Sequence, residues 1–223
     1  MAIPKSRLER EAIAMRVARE LPDGAVVNLG IGLPTLVSQF IPEGRQIIYH
    51  GENGILGYGP MAEEGEEDVD LTNAGGQFLK RVPGMAFSHS ADAFDMIRGG
   101  HVDIAVLGAL QVSERGDLAN WMIPERGVGN IGGGMDLAVG ARKVITAMEH
   151  TTREGRPKIV HRCTYPLTGQ GCVKLIVTDL AVIDVTAEGL VLREVAPGWT
   201  AAEVQELTEA RLMVARDVSE MRL

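Results

Sequence analysis

The chain has 223 residues and a formal net charge of −8, and these two properties exclude several classes of protein. An acidic chain without a run of lysines or arginines is unsuited to nucleic acid, whose phosphates require positive charge. No apolar run approaches the length that crosses a membrane, so we expect no membrane partner. The N-terminus mixes both charges and lacks the apolar stretch of a secretory signal, which favours the cytoplasm.

The composition is that of an ordinary globular protein, with 45% hydrophobic and 23% charged residues. The length suits an α/β protein with a sizeable core, and we predict a single domain over residues 1–223. The two cysteines, Cys163 and Cys172, do not form a CxxC pair. In a reducing compartment both thiols are expected to be free.

Helical and strand patterns alternate in the N-terminal part of the chain. The residues SRLE at 6–9 match a capping box and predict the start of a first helix. The run AVVNLG then indicates a short strand, and Pro34 favours the first turn of a second helix. The run QIIYH predicts another strand, and the acidic segment AEEGEEDVD (residues 62–70) is typical of a surface loop.

The alternation continues towards the C-terminus. SADAFDMIRGG predicts a helix that ends at glycines, and DIAVLGAL and RKVITAMEH contain apolar runs typical of strands buried on both faces. TAEG predicts a hairpin turn between strands at Ala181–Val185 and Leu190–Val195. The residues TAAE at 200–203 form a second capping box, which opens a C-terminal helix. The pattern therefore predicts a three-layer α/β fold, in which helices flank a mostly parallel sheet, with the hairpin and a helix near the end.

Glycine-rich loops follow several predicted strands, but none of them matches a common nucleotide motif. GIGLP lacks the third glycine of GxGxxG, because Thr35 stands there, and Leu137 breaks the same pattern after the glycines at 132–134. The chain contains no GxxxxGK[ST], no HExxH and no GxSxG. The five histidines show no metal-ligand spacing, and we expect no metal site.

The stretch YHGENGILGYGP places one carboxylate, Glu52, among glycines directly after a predicted strand. A glutamate can act as a covalent nucleophile if the substrate can approach it closely and amide groups stabilise the developing negative charge. The glycines around Glu52 permit such an approach, and the glycines at 132–134 offer unobstructed N–H groups. Alternatively, Asn53-Gly54 is a strong turn dipeptide, and Glu52 is a solvated turn residue. These residues alone leave both interpretations open.

Several longer motifs occur together in a fixed order: VNLGIGLPTLV, HGENGILGYGP, DLTNAGG, IRGGHVDIAVLGALQVSERGDLANWMIP, GGGMDLAVGARKVI and CTYPLTGQGCV. In this combination the chain resembles the β subunit of family I CoA-transferases of the 3-oxoacid type. That group includes succinyl-CoA:3-ketoacid, 3-oxoadipate and acetate/acetoacetate CoA-transferases. The resemblance extends from about Arg10 to about Leu207, and it implies the three-layer CoA-transferase fold.

The resemblance implies that CoA moves from an acyl-CoA, succinyl-CoA or acetyl-CoA, to a short carboxylic or 3-oxo acid. It implies ping-pong chemistry through a glutamyl-CoA thioester. Glu52 matches the family's nucleophile, and Gly133 matches its oxyanion-hole glycine. The second oxyanion donor of the family lies on an α subunit, so the resemblance implies a shared active site, in an α2β2 assembly. Coenzyme A is then a substrate and a covalent intermediate, and no permanently bound cofactor is expected. An acyl-CoA hydrolase and a non-catalytic ligand-sensing domain are the alternative functions on the same scaffold.

Further residues are candidates for substrate and CoA binding, namely Gly30, Gly32, Asn53, Asn73, Lys80 and Gly132. Three positions depart from the pattern of the family. Gly51 replaces a common serine before the glutamate, and we expect it to loosen the turn. Gly76 replaces a lysine that suits a CoA phosphate or a substrate carboxylate, and Lys80 or Arg81 are the residues that could compensate for it. Gly134 replaces a frequent alanine.

Overall fold

The computed structural model describes residues 5–127 and 129–223, and a ten-stranded sheet is its centre. From edge to edge the order is β13-β12-β11-β10-β8-β5-β1-β2-β3-β4. These strands are β1 Val26–Leu29, β2 Ile48–Gly51, β3 Ile55–Leu56, β4 Ala86–Phe87, β5 Ile104–Leu107, β8 Lys143–Met148, β10 Val173–Thr178, β11 Ala181–Thr186, β12 Gly189–Val195 and β13 Leu212–Glu220. A second sheet holds β6 Gln111–Ser113, β7 Leu118–Ala119 and β9 Ile159–Val160.

The five central strands, in the order β2-β1-β5-β8-β10, are all parallel. The helices are α1 Arg10–Ala18, α2 Ser90–Arg98, α3 Gly134–Gly140 and α4 Ala201–Glu206, with 3₁₀ helices at Leu33–Phe40 and Pro124–Arg126. Neighbouring residues of one strand point to opposite faces of the sheet, so Ile104 packs with α1 while Ala105 packs with α2 and α3. The predicted three-layer, mostly parallel α/β fold is therefore confirmed.

The predicted start of the first helix at Ser6 was wrong. Helix α1 begins at Arg10, and its N-cap residue Glu9 makes no side-chain capping bond. The preceding residues bind elsewhere: the Leu8 N–H donates to the Asp179 carbonyl at 3.1 Å, and the Ser6 carbonyl accepts from Trp199 Nε1 at 3.1 Å. These long-range contacts keep residues 6–8 out of the helix. They outweigh the local tendency of the capping box to begin a helix at Ser6.

The second predicted helix is present, but it is a 3₁₀ helix that begins at Leu33, one residue before Pro34. The helix in SADAFDMIRGG is α2, and its C-cap residue is Gly99, as the glycines predicted. Both predictions on the C-terminal hairpin and cap are confirmed. Strands β11 and β12 pair antiparallel, and the Thr200 N–H donates to Glu203 Oε2 at 3.0 Å in a capping box.

Strand β13, at one edge of the main sheet, was not predicted. It follows the predicted helix α4 and pairs parallel with β12. Most of its side chains are exposed, and therefore it lacks the apolar run that identified the central strands. No helix in the described ranges is long and apolar enough to cross a membrane.

His150 is a buried imidazole, and both of its ring nitrogens lie within hydrogen-bond distance of threonine hydroxyls. Its ring nitrogens lie 2.9 Å from Thr178 Oγ1 and 2.8 Å from Thr208 Oγ1, and its backbone N–H donates to Asp179 Oδ1 at 2.6 Å. Burial lowers the pKa of His150 to about 4. Folding therefore keeps this ring neutral in a range of pH where the unfolded chain protonates it.

We predict that His150 makes the free energy of unfolding fall as the pH falls from about 6.5 to about 4. The unfolded state binds the proton first in this range, and the contribution reaches about 3 kcal/mol once the pH is below both pKa values. Urea unfolding at a series of pH values measures the slope. We expect a shallower slope in His150→Asn and the wild-type slope in the control His101→Asn, whose side chain is exposed. Equal slopes in wild type and His150→Asn would contradict the prediction.

Candidate functional site

An open pocket of about 720 Å³ lies beyond the carboxyl ends of the parallel strands β1, β2 and β5. Gly30, Glu52 and Gly108, the residues that directly follow these strands, all line it. This is the edge where open α/β sheets bind their ligands. The other described residues of the lining are Ile31, Asn53, Ala74, Phe94, Leu107, Ala109, Leu110, Asn120, residues 130–134 and Leu137.

The Glu52 carboxylate is held by a side chain from the neighbouring strand. Asn28 Nδ2 donates to Glu52 Oε2 at 2.9 Å, and the Asn28 side chain is completely buried in β1. The same nitrogen lies 3.0 Å from the His50 carbonyl and 3.2 Å from His50 Nδ1. The parallel register sets Asn28 opposite His50, and this places the amide beside the residue that follows the end of β2.

His50 fixes the orientation of the Asn28 amide. His50 Nε2 lies 3.1 Å from the Ala93 carbonyl of α2, to which only an N–H group can donate. Nδ1 of the neutral ring is then the acceptor that faces Asn28 Nδ2. Burial lowers the pKa of His50, although the Ala93 carbonyl and the Glu52 carboxylate act in the opposite direction. The carboxylate is therefore oriented by a neutral amide that a neutral imidazole supports.

The triple glycine lies in the same place as Glu52, as the resemblance to the family implied. A Cβ atom on Gly133 would lie 3.5 Å from Glu52 Cγ and 3.2 Å from the ring of Phe94. Residue 133 precedes α3, and among the described residues its N–H donates to no acceptor. A glycine therefore brings an unengaged amide close to the carboxylate.

The other candidate residues separate into two groups. Gly30, Asn53 and Gly132 line the pocket, whereas Gly32, Asn73 and Lys80 are outside its described lining. Gly32 precedes the 3₁₀ helix with a φ of +91°, and Asn73 Oδ1 accepts from the Gly75 and Gln77 N–H groups in a turn. Lys80 is paired with two glutamates of the acidic segment.

Sequence reasoning missed three residues of the site. Asn28 and His50 lie in the predicted strands AVVNLG and QIIYH, and Phe94 lies in the predicted helix SADAFDMIRGG, but none of them was predicted to belong to the site. One signal in the sequence could have identified Asn28, because it is the only polar side chain in the apolar run AVVNLG. A polar side chain that is buried in a strand requires a hydrogen-bond partner. Within the described ranges, no group of three or more His, Cys, Asp or Glu residues is arranged to hold a metal ion.

Gly51 leaves space for the side chain of Asn53, and its expected loosening of the turn stays a prediction. A Cβ atom on Gly51 would lie only 2.6 Å from Asn53 Oδ1. The Asn53 amide occupies that space and donates through Nδ2 to the Thr72 carbonyl at 2.7 Å. Gly51 thereby permits a contact between the turn that carries Glu52 and the loop that carries Ala74.

A model of the family described as Coenzyme A transferase matches residues 10–207 of this chain. The chain belongs to the CoA-transferase family. It is 50% identical over 213 residues to the β subunit of acetate CoA-transferase of Escherichia coli K12. The aligned region covers 96% of this chain and 97% of that protein. It is 49% identical over 211 residues to one subunit of the 3-oxoadipate CoA-transferase of Acinetobacter baylyi, with 94% and 97% covered. The resemblance to β subunits of this family is thus confirmed.

A solved structure of an acyl-CoA transferase shares the fold. It is the thioester complex of YdiF from Escherichia coli O157:H7 with CoA, and it superposes with a TM-score of 0.77 at 18% sequence identity. The match covers all of this chain but only 44% of that longer chain. The CoA-transferase fold predicted from the motifs is confirmed.

We predict that Gly51→Ala displaces the Asn53 amide from the Thr72 carbonyl. The loss of one hydrogen bond lowers the free energy of unfolding by about 1 kcal/mol and speeds amide hydrogen exchange at residues 73–77. Asn53→Ala removes the same bond directly. The two substitutions share one contact, so their effects should not add in the double variant. Full additivity in urea unfolding would show that Gly51 and Asn53 act independently.

Proposed function

We propose that this protein is the β subunit of an enzyme that moves coenzyme A from an acyl-CoA to a short carboxylic or 3-oxo acid. The observation that carries the proposal is the position of Glu52, whose carboxylate lines an open pocket beside Gly133 and is oriented by Asn28. The relatives supply the reaction class, since they are named as CoA-transferases of different acids. Coenzyme A enters as a substrate.

The first half-reaction replaces a thioester to CoA by a thioester to Glu52. A carboxylate oxygen of Glu52 attacks the carbonyl carbon of the acyl-CoA, and the carbonyl electrons move to its oxygen. That oxyanion collapses, the C–S bond breaks, and CoA thiolate leaves an acyl-glutamyl anhydride. The thiolate then attacks the glutamyl carbonyl. The donor acid departs as a carboxylate, and glutamyl-CoA remains.

The second half-reaction repeats these steps in reverse with a different acid. The acceptor carboxylate attacks the glutamyl thioester, which releases the thiolate and forms a new anhydride. The thiolate attacks the acyl carbonyl of that anhydride, and Glu52 leaves as a carboxylate. Each tetrahedral intermediate carries an oxyanion, and the N–H of Gly133 is the donor that we assign to it.

The surroundings of Glu52 favour transfer to an acid over hydrolysis. Glu52 is the only general base among the described residues that line the pocket. The described lining contains no histidine, lysine, aspartate, cysteine or tyrosine that could activate water. His50 is close, but its ring is buried and engaged with Ala93 and Asn28. A carboxylate acceptor needs no general base, because it is already ionised at neutral pH.

The open side of the pocket is where we place the α subunit, in an α2β2 complex. Ile31 lines the pocket, yet 70% of its surface is exposed. A partner on this side would bury Ile31, supply the second oxyanion donor and close the pocket over the thioester. For CoA and substrate contacts we propose Gly30, Asn53 and Gly132 from the lining, and Gly32, Asn73 and Lys80 stay predictions from the sequence.

Two broader predictions also stay proposals. We treat residues 1–223 as one domain because the ten-stranded sheet takes strands from both halves of the chain. We assign the cytoplasm because the thiols Cys163 and Cys172 are unpaired.

We predict that acyl-CoA labels Glu52 in the complex reconstituted with an α subunit. Borohydride or hydroxylamine traps the glutamyl thioester, and peptide mass spectrometry locates it. Glu52→Ala should lower kcat by at least about 1,000-fold, because the covalent intermediate cannot form. The exposed Glu64→Ala is the matched control and should retain wild-type activity.

Three outcomes would contradict this mechanism in different ways. Full turnover in Glu52→Ala, with no adduct at residue 52, would show that Glu52 is not the nucleophile. Full turnover by the β chain alone would show that the active site is not shared with an α subunit. CoA release at the same rate with and without an acceptor acid would identify a hydrolase instead.

Asn28 is a positioning residue, and its loss should slow formation of the adduct without weakening the binding of acyl-CoA. Without the amide, the carboxylate loses the donor that orients it, and we expect a decrease in kcat on the order of 10-fold to 100-fold. Single-turnover labelling separates this effect from the KM. An increase in KM at unchanged kcat would show that Asn28 contributes to binding only.

A further inference from the structure

The proposed reaction cycle forms its tetrahedral intermediates at two different carbon atoms. At the acyl carbon they form when Glu52 attacks the acyl-CoA and when the thiolate attacks the second anhydride. At Cδ of Glu52 they form when the thiolate attacks the first anhydride and when the acceptor carboxylate attacks the thioester. In this second group the oxyanion is an oxygen of Glu52 itself, so a donor that stabilises it has to lie beside that side chain.

One oxygen of Glu52 already accepts a hydrogen bond from such a donor. Asn28 Nδ2 lies 2.9 Å from Glu52 Oε2, within the range of about 2.7–3.1 Å that an oxyanion donor requires. When the other oxygen, Oε1, attacks an acyl-CoA, it becomes the bridging oxygen of the anhydride. Oε2 is then the glutamyl carbonyl oxygen, which becomes the oxyanion when the thiolate attacks Cδ. The donor is therefore in place before the oxyanion develops.

The Asn28 amide presents its nitrogen to Glu52, and not its oxygen. Nδ2 faces three acceptors, which are Glu52 Oε2, the His50 carbonyl at 3.0 Å and His50 Nδ1 at 3.2 Å. A flip of the amide would turn Oδ1 towards all of them and lose every one of these bonds. Although Oδ1 is buried without a partner among the described residues, the three acceptors fix the orientation of the amide.

The position of this donor is fixed before a substrate binds. The Asn28 side chain is completely buried in β1, and the His50 ring beside it is held by the Ala93 carbonyl at 3.1 Å. A donor fixed in a buried site stabilises an oxyanion without the cost of reorientation. Its bond to a neutral carbonyl oxygen is weaker than its bond to an oxyanion, so the amide lowers the barrier to attack at Cδ.

We propose that the Asn28 amide is an oxyanion donor for the intermediates at Cδ of Glu52, in addition to orienting the free carboxylate. The Gly133 N–H is the donor assigned from the glycine loop, and Asn28 adds a donor from the sheet. The role is the same for every acid, because the oxyanion at Cδ belongs to Glu52 whatever the acyl group. This inference rests on the proposed function, since it requires a glutamyl thioester at Glu52.

Hydroxylamine isolates the attack at Cδ. In the complex reconstituted with an α subunit, acyl-CoA first forms glutamyl-CoA, and the remaining acyl-CoA and free acid are removed. The nitrogen of hydroxylamine then attacks Cδ, the C–S bond breaks, and one N–H proton passes to the departing thiolate. The products are CoA thiol and a hydroxamate on Glu52. Glu52 is not a nucleophile in this step, so the orientation of its carboxylate does not affect the rate.

We expect Asn28→Leu to slow hydroxamate formation on the order of 100-fold, because leucine has a similar shape and no donor. Asn28→Asp places an acceptor where the donor was, and it should react no faster than Asn28→Leu. The matched control is Thr146→Val, which removes a buried polar group from β8, two strands away from β1, and should react like the wild type. The wild-type rate in either Asn28 variant would overturn the inference.

A spectroscopic measurement tests the contact in the intermediate. With isotope-labelled glutamate in the protein, the infrared difference spectrum between the adduct and the free complex contains the stretching band of the thioester carbonyl. A hydrogen bond from Asn28 lowers the frequency of this band. We therefore expect a higher frequency in Asn28→Leu and the wild-type frequency in Thr146→Val. A lower rate with an unmoved band would show that Asn28 acts only through the shape of the site, and this would contradict the proposal.

The outcomes separate this inference from the function on which it rests. The absence of an adduct at Glu52 in the wild-type complex would overturn both. An adduct that reacts with hydroxylamine equally fast in the wild type and in Asn28→Leu leaves the function intact and overturns only the role at Cδ. A lower kcat in that variant would then result from the orientation of the carboxylate alone.

Discussion

The hydrogen bond between the Asn28 amide and the Glu52 carboxylate is the contact on which the rest of the site depends. It exists because β1 and β2 are adjacent and parallel, in a register that places Asn28 opposite His50. His50 in turn binds the Ala93 carbonyl, which ties the orientation of the carboxylate to helix α2. The position of the carboxylate is thus set by the packing of a helix on a sheet, and its partners carry no charge.

The sequence predicted the parts of the molecule that local patterns encode. Apolar runs such as QIIYH and AVVNLG identified strands of the parallel centre, and the glycines around Glu52 and Gly133 indicated a site where backbone must come close. The bond between Asn28 and Glu52 was not predictable in this way, because it depends on strand order and register. Local signals failed where distant contacts are stronger, as at Ser6, whose carbonyl binds Trp199 instead of beginning a helix.

The acidic segment, residues 62–70, has contacts in the fold that its sequence does not predict. Residues 62–70 were correctly expected to form a surface loop, which is the usual meaning of a charge run. In the fold this loop lies against Lys80 and Arg81 and engages both. The surface loop is therefore held by ion pairs to the two cations that follow it in the chain.

The turn that carries Glu52 also contains a sequence that is prone to deamidation. Asn-Gly sequences lose ammonia spontaneously when the glycine nitrogen attacks the asparagine side chain and closes a succinimide ring, and Asn53-Gly54 is such a sequence. Here the Gly54 N–H donates to the Gly51 carbonyl at 3.0 Å, and the Asn53 amide is held by the Thr72 carbonyl. Both reacting groups are thus restrained by hydrogen bonds, and the absence of a Cβ at position 51 leaves room for the Asn53 amide. A larger residue there requires the Asn53 side chain to shift, and a shift that breaks its bond to Thr72 would leave the amide freer to form the succinimide.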